Sequence, residues 1–457
     1  MSARRSIFAL RYIGACSVAL VVLPLLATFA FAVPISGVQG LRYNPQGTCA
    51  MFWTNSKLYV TDAGCPSGGS LGVVEVKSGG NSIFGVQGLV YSPNGSCAMF
   101  WTNSKLYATE AGCPSGGSLG VVEVTSGGSS IFGIQWLQYN PTGSCAMFYT
   151  SSKLYATEAG CPSGGVLTAV EVTSGGGSIF GVQAIGYHPL GTCAMFRTSS
   201  KLYATEAGCP SAGALTAVEV KCSGASIPGI TWFGYSPSTN CALFYTSSKM
   251  YATEEACPSG GSLTAIEVTS GGSSIYGIMG FWYHPSGTCH MFWTSSKLYV
   301  TEGGCPSDGS LTAVQVTSGG GSIYGVRACY YNPTGGCAMF WTSSKVYATE
   351  AGCPSGGSLT AVQVTRGGGS IYGVVNLVYN PTGNCAMFWT SSELYATEAG
   401  CPSGGTLTAV RVRTGEPTPV PALSLKGACV LAALLAIGGL VFIACRRRVL
   451  PSPKITG

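Results

Sequence analysis

Residues 82–129, SIFGVQGLVYSPNGSCAMFWTNSKLYATEAGCPSGGSLGVVEVTSGGS, recur in eight copies at a fixed period of 48 residues. The period is easiest to follow on two cysteines. The first falls at Cys49, Cys97, Cys145, Cys193, Cys241, Cys289, Cys337 and Cys385. The second follows at an unvarying interval, at Cys65, Cys113, Cys161, Cys209, Cys257, Cys305, Cys353 and Cys401. The copies tile residues 35 to about 418 without a gap. A period of this length marks a repeat architecture, in which each unit contacts mainly its neighbours.

Within the quoted copy, four strands are predicted at Gly88–Tyr91, Cys97–Thr102, Lys105–Thr109 and Leu119–Thr125. Ser92-Pro93-Asn94-Gly95 separates the first two with turn chemistry, because Pro presets φ and Gly accepts φ > 0. Asn103-Ser104 leaves a two-residue hairpin loop between the second and third. Each unit therefore reads as an antiparallel four-stranded meander. The runs CAMFWT, KLYAT and LGVVEV are nearly continuous in apolar residues, the pattern of a sheet covered on both faces. Each sheet should then be sandwiched between its neighbours. Four-stranded sheets packed face to face around an axis describe an all-β, eight-bladed β-propeller. The competitor is an open solenoid, which needs polar caps at its ends; the first and eighth copies carry ordinary repeat sequence.

Tyr91-Ser92-Pro93-Asn94-Gly95 followed by two short strands resembles the blades of bacterial surface β-propellers of the YVTN and WD40-like kind. That resemblance implies a surface protein built from blades.

The two ends read differently. Residues 1–32 form a signal peptide, with Arg4, Arg5 and Arg11 before an apolar run and Ala30-Phe31-Ala32 as the cleavage pattern. Residues 33–414 hold the repeats, 415–425 a Pro-rich spacer, 426–446 a transmembrane helix and 447–457 a cytoplasmic tail. Gly427 to Cys445 is an uninterrupted apolar stretch, close to the ~20 residues that cross a bilayer. Arg446, Arg447 and Arg448 follow it and mark the cytoplasmic side. Val420-Pro421-Ala422-Leu423-Ser424, the apolar span and the Arg triplet together resemble exosortase sorting signals of the Ile-Pro-Thr-Leu-Ser type. The resemblance implies an exosortase-type membrane protease as a partner, with release or re-attachment at the cell surface; a plain anchor has the same parts.

Only 9% of the 457 residues are charged, against roughly 25% in an average globular domain. The formal net charge of +6 sits in the ends: between Val33 and Leu425 there are 15 Lys and Arg against 17 acids, a net of −2. A nucleic-acid footprint is therefore not expected on the repeats. In an exported chain, the sixteen repeat cysteines read as disulfides. Folding the hairpin about Asn103-Ser104 brings Cys97 near Cys113, so eight bonds within repeats are expected, although Glu110 stands directly opposite Cys97. Metal binding is the rival use, but paired thiols without Cys-x-x-Cys spacing, and three His in the whole chain, make a poor zinc signature. Cys222 and Cys329 are extras, expected as buried thiols. His188, His284 and His290 are expected in surface or turn roles.

No nucleophile elbow, phosphate loop or EF-hand pattern is present, so no enzyme activity and no cofactor are expected. Differences among the copies concentrate at two places. The first is Gln39, Gln87, Gln135, Gln183, Thr231, Met279, Arg327 and Val375; the second is Arg42, Val90, Gln138, Gly186, Gly234, Trp282, Tyr330 and Val378. If the first strand of each unit lines a channel or rim, Gln39, Arg42, Gln135, Gln138, Trp282, Arg327 and Tyr330 are candidate ligand contacts for an extracellular glycan or protein. Relaxed packing is the plainer reading of the same variation. The expected function is non-enzymatic binding or display at the cell surface, with a structural stalk or coat as the alternative.

Overall fold

The computed structural model describes residues 35–65, 71–238 and 240–412. They form an all-β protein, with no helix among them. The expected signal peptide, sorting motif, membrane span and tail lie outside the described residues. No helix among the described residues is long and apolar enough to cross a membrane.

The quoted copy folds as a meander of Val86–Tyr91, Ala98–Thr102, Leu106–Thr109 and Val121–Ser126. Consecutive strands pair antiparallel throughout. Both predicted turns form: the Gly95 amide donates to the Ser92 carbonyl, with Gly95 at φ 67°, and the Thr102 amide donates to the Lys105 carbonyl across Asn103-Ser104. A short fifth strand, Ser129–Ser130, folds back on Thr125 and Ser126. Gly127 and Gly128 make that turn with positive φ, a hairpin signal not read in the sequence.

The strand alternation assigns the two faces of each sheet to different neighbours. One core holds Cys97, Met99 and Trp101 of the second repeat together with Ile134, Leu137, Tyr139, Ala146 and Phe148 of the third. Ala98 and Phe100, the intervening residues, belong instead to the core shared with the first repeat. The continuous apolar run is thus two alternating sets, and the expectation of sheets covered on both faces holds.

Backbone also links the repeats. The fourth strands pair in parallel, Val124 with Leu167, Val172 with Leu215 and Val220 with Leu263. The first strand pairs with the second in its own repeat and forms the outer edge of the meander.

The described residues fall into two compact units. The first takes those up to Met279 with 286–290 and 301–314; the second takes 280–285, 291–300 and those from Gln315 onward. The second unit repeats the same plan. Its fourth strands pair Val316 with Leu359 and Val364 with Leu407, and a core joins Met339 and Trp341 to Leu377, Ala386 and Phe388.

The disulfides correct the sequence reading. Cys49 bonds Cys113, Cys97 bonds Cys161, Cys145 bonds Cys209, Cys193 bonds Cys257, Cys241 bonds Cys305 and Cys337 bonds Cys401. Each spans 64 residues, one period more than expected, with Cα separations of 5.7–5.8 Å. Cys289 and Cys353 are disulfide-bonded as well. The reason is parity: Cys97 points with Met99 and Trp101 toward the following repeat, where the loop after the third strand presents Cys161. A loop of this length contributes about 4 kcal/mol in the chain-entropy model. Cys65 and Cys385, expected in bonds, are unbonded, as are Cys222 and Cys329.

Candidate functional site

The two variable places lie on the outer-edge strand. All eight residues at the first place are exposed, from Gln39 to Val375. None at the second place is buried: Arg42, Trp282 and Val378 are exposed and the rest half-buried. The variation therefore sits at the surface and not in a relaxed core. Gln39 and Arg42 lie on the first repeat, where the Gln39 amide donates to the Asn55 side chain; Gln135 and Gln138 lie on the third.

Two of the candidates come together on the second unit. Trp282 and Tyr330 meet edge to face with ring centroids 4.7 Å apart, and Tyr330 stacks on Trp341 at 5.9 Å. Arg327 is exposed just before Tyr330's strand, held by its amide donating to the Trp341 carbonyl at 2.9 Å. The result is an aromatic strip, with the exposed Arg327 three residues before Tyr330 along the chain.

A cleft that sequence reading missed lies between the first strands of the fourth and fifth repeats. It encloses about 350 Å³ and is lined by Ala184 to Tyr187, Pro189, Arg197 and Thr231 to Tyr235. Two substitutions at the second variable place open it, Gly186 and Gly234. A β-carbon on Gly186 would stand 3.1 Å from the Phe233 ring. Arg197 replaces the Trp or Tyr found at that place in the other copies. Its Nη1 donates to Gln183 Oε1 at 2.6 Å and to the Ile230 carbonyl at 3.1 Å. Trp232 stacks on Tyr245 at 6.0 Å. The paired glycines in consecutive copies, with an Arg for an aromatic, were the available signal.

Size compensation runs along this edge. Gly40, Gly88 and Gly280 leave room for Trp53, Trp101 and Trp293, whose rings lie 2.1–2.3 Å from where a β-carbon would be. Trp136 stands opposite Tyr149 and Ala184 opposite Arg197.

The charged groups have structural partners. Lys105 Nζ donates to Glu123 Oε2 at 2.5 Å, and the same pair recurs as Lys57–Glu75, Lys153–Glu171, Lys201–Glu219 and Lys249–Glu267. Burial works against ionisation of Glu123, but hydrogen bonds from Lys105 and Ser130 outweigh it and hold the carboxyl below its ordinary range. In the eighth repeat the pair is reversed as Glu393 with Arg411. The Glu110 series is different: Glu158, Glu206, Glu254, Glu302, Glu350 and Glu398 each accept from a Thr at the start of the fourth strand, at exposed sites.

The histidines correct the expectation of a surface role: all three are buried. His188 caps its turn, with Nδ1 2.8 Å from Thr192 Oγ1. His284 Nε2 donates to the Gly335 carbonyl at 2.8 Å, replacing the Asn that makes this bond to the next repeat elsewhere, as Asn332 does to Gly383. His290 Nε2 lies 2.7 Å from the Gly304 carbonyl. Of the extra thiols, Cys329 is fully buried, donates to Met291 Sδ at 3.2 Å, and is pushed up by burial; Cys222 is half-buried.

No family model matches the chain, and no curated protein matches it. Among solved structures it is similar to a eukaryotic initiation factor, at 11% identity over 83% of this chain and 89% of that one, with a TM-score of 0.43. It is also similar to Kluyveromyces lactis Hsv2, at 9% identity over 62% and 84%, TM-score 0.33. A third is the Niastella koreensis GH74 enzyme, at 13% identity over 82% and 65%, TM-score 0.30. Likenesses this distant carry no argument about this chain. What defines its class is its own geometry: regular disulfides joining successive repeats make it an extracellular, disulfide-stabilised repeat domain.

Proposed function

We propose that the chain is a non-enzymatic cell-surface protein that presents the first-strand edge of its repeats to an extracellular glycan or protein. The observation that carries this reading is that the residues at two places on one edge differ widely from copy to copy and none of them is buried, while the cysteine spacing repeats without change. Recognition placed on variable positions of a rigid scaffold follows that pattern. The Trp282–Tyr330–Trp341 strip with Arg327 supplies the residue types that dominate interface energetics, and flat aromatic faces suit sugar rings and peptide surfaces alike. On this reading the repeats are units of the kind that build a β-propeller. The signal peptide exports them, and the segment at 426–446 holds them at the membrane. The motif at 420–424 exposes the product to an exosortase-type protease.

The test is the triple variant Trp282→Ala, Arg327→Ala and Tyr330→Ala, compared with wild type for attachment to glycan arrays and to cell surfaces. Attachment should be lost while the melting temperature moves by no more than a few degrees. Unchanged attachment with a large loss of stability would show that these side chains serve only packing.

A further inference from the structure

Among the described residues lining the cleft between the fourth and fifth repeats, both within the first compact unit, Arg197 alone is charged. Its two hydrogen bonds both leave from Nη1, to Gln183 Oε1 at 2.6 Å and to the Ile230 carbonyl at 3.1 Å. Among the described residues no carboxylate lies within ion-pair reach of it, and the fork made by Nε and Nη2 has no acceptor. Bridging to the following repeat does not call for an arginine: one copy earlier, the Tyr149 hydroxyl at the same place donates to the Gln183 carbonyl at 3.1 Å. The wall beside the guanidinium is aromatic, with Trp232 and Phe233, and Thr231 adds an exposed hydroxyl. Gly186 and Gly234 keep the space of about 350 Å³ open, at a place where the second and eighth copies carry Val and the sixth and seventh carry Trp and Tyr.

A half-buried guanidinium without a counterion favours an anion, and its planar fork fits a carboxylate through two parallel hydrogen bonds. An aromatic wall next to it takes the apolar face of a ring. Thr231 and the exposed Gln183 offer partners for ring hydroxyls, which an aromatic acid lacks. The volume lies near the lower end of the roughly 300–1,000 Å³ of ligand pockets, so it takes one ring and not a length of chain. We propose that the cleft binds a single hexuronic acid residue of an acidic glycan, with its carboxylate on the Nε–Nη2 fork of Arg197 and its ring against Trp232. This names the ligand class of one site on the first-strand edge and so rests on the reading of that edge as a recognition surface, but it uses no residue of the Trp282–Tyr330–Trp341 strip.

The test titrates the full-length chain in detergent with methyl β-glucuronide, neutral methyl β-glucoside and N-acetylphenylalanine, read by calorimetry. The glucuronide should bind at least tenfold more tightly than either of the others, and more weakly as salt rises. Arg197→Tyr installs the residue of the third and fifth copies, and Gly234→Val that of the second and eighth. Each should weaken glucuronide binding at least tenfold while the melting temperature moves by no more than a few degrees. The Trp282→Ala, Arg327→Ala and Tyr330→Ala triple variant should bind the glucuronide as wild type does, so the cleft and the strip fail separately. Equal binding of glucuronide and glucoside, or tighter binding of N-acetylphenylalanine, would overturn the proposal. So would no glucuronide binding by wild type, undiminished binding by Arg197→Tyr, or its loss in the triple variant.

Discussion

Thr109 shows how much one side chain carries in each repeat. Its Oγ1 accepts from the Ala98 amide at 2.8 Å and donates to the Ala111 carbonyl at 2.7 Å, fully buried. The Thr equivalent makes the same bond to the second strand in all eight copies. Thr109→Val keeps the volume but leaves two buried backbone groups unpaired, so it should cost about 1–3 kcal/mol in chemical denaturation. Gly112 is constrained differently: a β-carbon there would lie 1.7 Å from the Gly95 carbonyl oxygen. Gly112→Ala should destabilise by about 1–3 kcal/mol, the usual cost of overpacking. The fifth copy supports the coupling, because Ala256 takes the place of Gly112 where Thr239 takes that of Gly95. The turn role of Gly95 was legible, since Ser-Pro-Asn-Gly states its own backbone needs. The Gly112 contact was not, because it joins two loops that a full hairpin separates along the chain. The turn place of His188 was legible, because it stands where other copies carry Asn or Ser; the burial of all three histidines was not.

Between strands, the charged residues act as cross-strand neighbours. Tyr107 stands opposite Glu123, which puts Lys105 diagonal to Glu123 and within reach. The partner of Lys105 lies on the fourth strand, where only its register with the third can bring it. The reversed Glu393–Arg411 pair in the eighth copy shows that complementarity matters more than sign. Hydrogen bonding from Lys57 and Ser82 lowers the Glu75 carboxyl, and Glu123, Glu171, Glu219 and Glu267 are lowered too. A lowered carboxylate binds fewer protons folded than unfolded, so its stabilisation is present above the unfolded value of about 4.3 and is lost as pH falls through the folded value. Exposure keeps the effect small. Melts of wild type and Glu123→Gln should differ modestly at pH 7 and converge in strong acid; a gap that widens in acid would contradict this assignment.

The repeat, its meander, its turns and the burial of both sheet faces were all legible, because period and apolar continuity are written in every copy. The partner of each cysteine was not. In a perfectly periodic chain, bonding within a repeat and bonding to the next one differ by one whole period, so spacing cannot choose between them. Only the parity that places Cys97 on the face of Met99 and Trp101 decides, and that depends on which neighbour each face meets. The cleft and the aromatic strip were half legible: the variable positions stood out, but the absence of a side chain at Gly186 and Gly234 becomes a cavity only once two first strands lie side by side. The central claim is that an internal sheet, such as that of the second repeat, is sandwiched between two neighbours and stapled to both. Mass spectrometry of a non-reduced digest tests it most directly. Peptides joining Cys49 to Cys113, Cys97 to Cys161 and Cys145 to Cys209 are the predicted result, and peptides joining Cys97 to Cys113 or Cys145 to Cys161 would contradict it.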